Sequence, residues 1–191
     1  HLLLSAMNRL SFLKTALGAA LLPAAALAKS ATPVETAAEA TRLRRELDQA
    51  WRASERITLL TAGQMPAEHF AFRYTPGAMT FAEQWRHCCE FTVAQVTGRL
   101  GVKNPYEIRP LPALLTKAEA LTELKAMYAF VRETIAEAPA ETLLAEDAYM
   151  GETLPVWRIL YALENHLIHH RGQCVVYLRL KGIAPEGYLG W

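Results

Sequence analysis

The run Glu164-Asn165-His166-Leu167-Ile168-His169-His170-Arg171-Gly172-Gln173 is the part of this 191-residue sequence best equipped to hold a metal ion. On a helix, residues four apart lie about 40° apart around the axis and one turn along it. His166 and His170 would then project from one face and could share an ion. His166 and His169, three apart, make a second pair that helix geometry allows. Imidazole nitrogen suits zinc, nickel, copper or iron. Two imidazoles do not hold an ion tightly in an open site, so a third donor is expected from another segment. His87 is the candidate, because it stands amid Phe81, Ala82, Trp85, Phe91 and Val93 and needs a partner or a task there. The ordinary alternative is a set of satisfied core histidines, since short histidine spacings also arise by chance. His1 and His69, the latter in a loop beside Pro66, offer less.

The neighbours of these histidines each carry two readings. Glu83 and Glu90 lie four and three residues from His87 and could approach an ion, although glutamates usually occupy solvated helix faces. Cys174 continues the His166/His170 face by one turn, as a fourth ligand that would close the site or as a core residue. Glu164 and Asn165 could accept the second N–H of a metal-bound imidazole, or lie on the helix surface. Arg171 is expected to pair with a carboxylate rather than hold an anionic substrate. Cys88 and Cys89 are adjacent, where a mutual disulfide would be strained, and three cysteines leave at least one thiol free.

Four long helices are expected to position these groups. The first, residues 35–62, carries Leu43, Leu47, Trp51, Ile57 and Leu59/Leu60 near an i, i+4, i+8 stripe, with Gly63 ending it. The second opens at Thr80 with Glu83 in the capping-box position and stops at Gly98. Thr116 and Glu119 repeat the box for the third, whose stripe is Leu121, Leu124, Tyr128, Val131 and Ile135, closed by Pro139. Residues 140–154 read as a loop with at most one helical turn. Pro155 suits the first turn of the fourth helix, which runs to Lys181 and stops at Gly182. No strand-like alternation of any length is visible. The class is all-α, a four-helix bundle.

Composition agrees, because alanine and leucine dominate and 52% of the residues are apolar. Twenty basic against nineteen acidic residues leave a net charge of +1, which gives no reason to expect a nucleic-acid partner. Residues 1–28 read as leader and signal peptide. Arg9 and Lys14 form the basic region, residues 15–28 the apolar one, and Ala26-Leu27-Ala28 a cleavage site. Leu10 stands where a twin-arginine signal needs its second arginine, so general secretion is the expected route. The alternative is an amphipathic helix packed on the domain. Residues 29–34 are then a linker, and 35–191 the domain. The product would be exported, with no membrane span once the signal is removed.

These features resemble the DinB/YfiT-like metalloenzymes, which are four-helix bundles. The resemblance rests on Thr75-Pro76-Gly77 ahead of the helix bearing His87, on the Asn-His-x-x-x-His-Arg-Gly-Gln block at 165–173, and on Tyr177-Leu178-Arg179 with Gly182. It spans roughly residues 40–185. It implies that His87, His166 and His170 bind one divalent transition metal, zinc or nickel, and so selects His170 over His169. It also implies a metal-dependent enzyme acting on an unidentified small molecule, by hydrolysis or by transfer of a low-molecular-weight thiol. A non-catalytic metal-binding or stress-response bundle is the alternative. Signal peptides are unusual among members of this family, and such thiols are scarcer outside the cytoplasm. Bundles of this type often dimerise, so a homodimer stays open.

Overall fold

Three of the four long helices open with the same local device. Thr32, Thr80 and Thr116 each accept a hydrogen bond on the side chain from the backbone N–H three residues on. Glu35, Glu83 and Glu119 in turn accept from the threonine N–H groups at 2.7, 2.6 and 2.8 Å. Each box satisfies two amides that a helix start leaves without partners, and a cap of this kind is worth about 1 kcal/mol. The boxes at Thr80 and Thr116 are the expected ones. The box at Thr32 moves the first helix two residues earlier than expected, so Pro33 and Val34 belong to it rather than to a linker.

The computed structural model describes residues 32–187, and the expected export signal lies outside the described residues. In chain order the elements are α1 (Pro33–Gln64), a 3-10 turn (Ala67–His69), α2 (Phe81–Leu100), α3 (Pro105–Ile108), α4 (Lys117–Glu137), α5 (Ala140–Leu144), β1 (Glu146–Tyr149), β2 (Glu152–Pro155) and α6 (Val156–Leu180). Helices α1 and α2 each pack against both α4 and α6, so the order around the bundle is α1–α4–α2–α6. The expected all-α bundle is therefore present. Its interior is filled by Trp51, Phe81, Trp85, Tyr128 and Tyr177, all fully buried. Each large apolar side chain buried in this way contributes roughly 1.5–3 kcal/mol. No helix among the described residues is long and apolar enough to cross a membrane.

Several local expectations are corrected. Helix α1 passes through Gly63 to Gln64, and α2 passes through Gly98 to Leu100. A single internal glycine costs only about 1 kcal/mol, and Val96, Thr97 and Leu100 are buried by continuing the helix. The stop falls to Gly101, whose φ of 68° lets its N–H reach the Thr97 carbonyl. Pro155 caps α6 from outside rather than sitting in its first turn. The 140–154 loop contains the expected helical turn, α5, but also an antiparallel hairpin. Met150 and Gly151 form its turn with φ of 52° and 87°, the paired positive values that a two-residue hairpin needs.

The second half of α1 departs furthest from the apolar stripe. Its buried face is Ser54, Thr58 and Thr61, while Ile57 and Leu59 are half-buried and Leu60 is exposed. The polar face is satisfied from neighbouring helices. The Tyr128 hydroxyl lies 2.9 Å from Ser54 Oγ and 2.8 Å from Thr58 Oγ1. Arg171 donates to Thr58 Oγ1 at 3.1 Å. Buried hydroxyls with partners are tolerated, and Ile57 and Leu60 are turned outward as a consequence.

Candidate metal centre

Helix α2 carries His87 at mid-length, and α6 beside it carries His166 and His170 on one face. The Nε2 atoms of His87 and His166 are 3.1 Å apart, and those of His166 and His170 are 3.0 Å apart. Donor atoms from all three residues lie within 4.8 Å of one another. Two nitrogens each about 2.05 Å from one ion stand about 3.3 Å apart at a tetrahedral angle and about 2.9 Å at a right angle. The observed spacings fall between these values, so the three side chains are placed for a single ion.

Hydrogen bonding makes the same point from the other side. His170 Nδ1 is 2.5 Å from Gln84 Oε1, an oxygen that only accepts, so Nδ1 carries the proton and Nε2 presents its lone pair to the cluster. His166 Nε2 has at most one proton for its two neighbours. Whichever tautomers are chosen, one of the two nitrogen–nitrogen contacts has no hydrogen to bridge it. His166 Nδ1 is also buried without a partner. An electron-pair acceptor at the centre would satisfy all three Nε2 atoms together.

Electrostatics keep those lone pairs available. Burial, reinforced by the neighbouring imidazoles, lowers both His166 and His170 to about 4. Burial also lowers His87, partly opposed by Glu90. All three are neutral at pH 7. The Phe91 ring stands 4.2 Å from the His166 ring and 5.8 Å from that of His87, covering one side. His87 and His166 remain half-exposed, so the other side is open.

Other candidates from the sequence take different places. Glu83 is held in its capping box, and Glu90 pairs with Arg86 at 2.7 Å. Cys174 is fully buried in the core, where burial pushes its thiol well up, and like Cys88 and Cys89 it is free. Neither glutamate nor the cysteine joins the cluster. Asn165 is exposed. Glu164 does not serve a histidine but faces Arg171, the pairing expected for that arginine, at 3.4 Å. His69 sits in the 3-10 turn, and His169 Nε2 accepts from the Gln173 amide at 2.9 Å.

Gln84 is the residue that sequence reasoning missed. It is 3% exposed, and besides His170 its amide faces Gln173 Oε1 at 3.5 Å. The available signal was a glutamine three residues before His87 among Phe81, Ala82 and Trp85. Because it fixes the His170 ring, Gln84→Leu is expected to weaken zinc binding by about 10–100-fold with the helical circular dichroism unchanged. A competition titration against a chromophoric chelator measures this. Unchanged affinity would mean that packing alone orients His170.

A cleft of about 500 Å³ lies between α1 and α6, and none of the three histidines lines it. Glu164, Ile168, Arg171 and Val175 do, and they occupy the opposite side of α6 from His166 and His170.

A family model described as the DinB superfamily matches residues 46–174. A DinB-like protein from Bacillus cereus ATCC 10987 superposes with a TM-score of 0.62 at 21% identity, over 74% of this chain and 95% of that one. The DinB-like protein YjoA of Bacillus subtilis gives 0.60 at 15% identity, over 75% and 96%. At these identities the two structures speak for the fold alone. No curated protein matches the chain.

Proposed function

We propose, starting from the fact that this chain belongs to the DinB superfamily, that His87, His166 and His170 hold one divalent transition-metal ion that serves a reaction on a small molecule. The convergence of three Nε2 atoms, with 3.1 and 3.0 Å between the measured pairs, carries this reading. An all-imidazole donor set suits zinc or nickel, and three protein ligands leave coordination positions open, as catalytic sites do. When bound, such an ion supplies Lewis-acid charge to a substrate atom that approaches it. The chain's own residues do the rest. Gln84 holds the His170 ring in one tautomer, Phe91 shields one side from water, and the half-exposed edges of His87 and His166 leave access from the other.

Hydrolysis fits this protein better than thiol transfer if residues 7–28 direct its export, because low-molecular-weight thiols are scarcer outside the cytoplasm. One observation favours the second reading, a metal-binding bundle without catalysis: the 500 Å³ cleft takes none of its lining from the histidines. Elemental mass spectrometry of the purified chain tests the common premise, with about one equivalent of zinc or nickel per chain expected. No metal, even after reconstitution with either ion, would leave the histidines as core residues and remove both readings. Metal without turnover on ester, amide and thiol substrates would favour the second.

A further inference from the structure

The α1/α6 cleft is built from walls and a floor of different chemistry. Ile57, Leu60, Ile168 and Val175 make apolar walls, and Glu164 and Arg171 lie at one end. Its volume, about 500 Å³, is in the range of sites that enclose a small ligand. Arg171 Nη2 is 3.4 Å from Glu164 Oε1, and Nη1 is 3.4 Å from Ser54 Oγ. Charge-assisted hydrogen bonds ordinarily close to about 2.7–2.9 Å. Arg171 Nη1 also donates to Thr58 Oγ1 at 3.1 Å, but the ion pair itself is long. A guanidinium with five N–H groups and a carboxylate with two oxygens keep hydrogen-bonding capacity towards the cleft, although their side chains are only 13% and 4% exposed.

Charge selects the occupant. Glu164 and Arg171 pair at the floor, and Arg179 and Glu186, which also line the cleft, add one charge of each sign. A charged head group at the floor would lose its hydration without meeting a net counter-charge. A neutral head that both donates and accepts can bridge the carboxylate and the guanidinium. We propose that this cleft is a second binding site, taking an uncharged amphipathic small molecule headed by a primary amide or a hydroxyl. The head rests on Glu164 and Arg171, and the apolar body runs along Ile57 and Val175 toward the rim. Arg171 and Arg179 are eight residues apart on α6, which leaves about 12 Å of wall beyond Arg171 for the apolar body. It is independent of any ion at the histidines.

Calorimetric titration of the full chain with octanamide tests this, with saturable binding at a Kd below about 1 mM expected. N,N-dimethyloctanamide, which has no N–H to give, and octanoate and octylammonium, which are charged, should each bind at least about tenfold more weakly. Ile168→Trp and Val175→Trp, at positions that are not fully buried, should fill the cleft and abolish binding with the fold intact by circular dichroism. His166→Ala, on the other face of α6, should leave octanamide affinity within about twofold of wild type. Absence of saturation, tighter binding of octanoate than of octanamide, or binding that survives both tryptophan variants would overturn the proposal. So would loss of binding in His166→Ala, which would move the ligand to the histidine face.

Discussion

Replacing His166 with alanine should empty the metal site, taking the content of the purified protein from about one equivalent to below about a tenth. His166 is the common member of both close Nε2 contacts, so its loss leaves His87 and His170 as two donors on different helices. The substitution should not unfold the bundle, because the ring is half-exposed and its Nδ1 has no hydrogen-bond partner to lose. His169→Ala and Cys174→Ala provide the contrast. His169 is engaged with Gln173 and Cys174 is enclosed in the core, so both variants should keep the ion. Elemental mass spectrometry of the three variants, each with its thermal midpoint, decides the matter. Retention of metal in His166→Ala, or its loss in His169→Ala, would overturn the assigned ligand set.

The largest effect on stability is expected from Glu164→Ala. The Glu164–Arg171 contact is long at 3.4 Å, so the attraction itself is modest. The cost lies in what remains when the carboxylate is removed. Arg171 would keep a buried guanidinium with only hydroxyl partners, and breaking a buried pair in this way costs about 3–5 kcal/mol. For a domain of this size that corresponds to a fall of roughly 6–20 °C in the thermal midpoint. Adding Arg171→Met to Glu164→Ala should recover part of the loss, since the orphaned charge is then gone. Urea denaturation of the single and double variants measures both steps. A double variant no more stable than Glu164→Ala would place the cost in lost packing instead.

The bundle was legible in the sequence because its signals are local. Thr80 and Thr116 with their glutamates, Pro139 and Gly182 mark helix boundaries through chemistry confined to a few residues. The hairpin was not legible, since two four-residue strands give too short a pattern and Met150-Gly151 is a weak turn pair. The histidines could be nominated from spacing within α6 and His87 from its apolar surroundings, but choosing His170 over His169 needed the resemblance, because helix spacing allows both pairs with His166. Gln84 was missed because its partner His170 lies 86 residues away, and a glutamine among apolar residues does not by itself name that partner. Ile57 and Leu60 misled because Tyr128 and Arg171 make a polar interior for Ser54 and Thr58, so the apolar side of α1 there is its outer one.

His87 and His166 are separated by 79 residues of chain. In the unfolded protein, bringing two such points together opposes about 4 kcal/mol of loop-closure entropy, and α6 alone would offer an ion only its own pair of imidazoles. In the native bundle the closure is already made by the packing of α2 on α6, so an ion meets all three donors at no further entropic cost to the backbone. Ion binding at this site would therefore be linked to folding by mass action: free ion in the surroundings would shift the population toward the native state according to its preference for that state. With an ion held at these histidines, metal availability outside the protein would become a thermodynamic control on how much of it is folded.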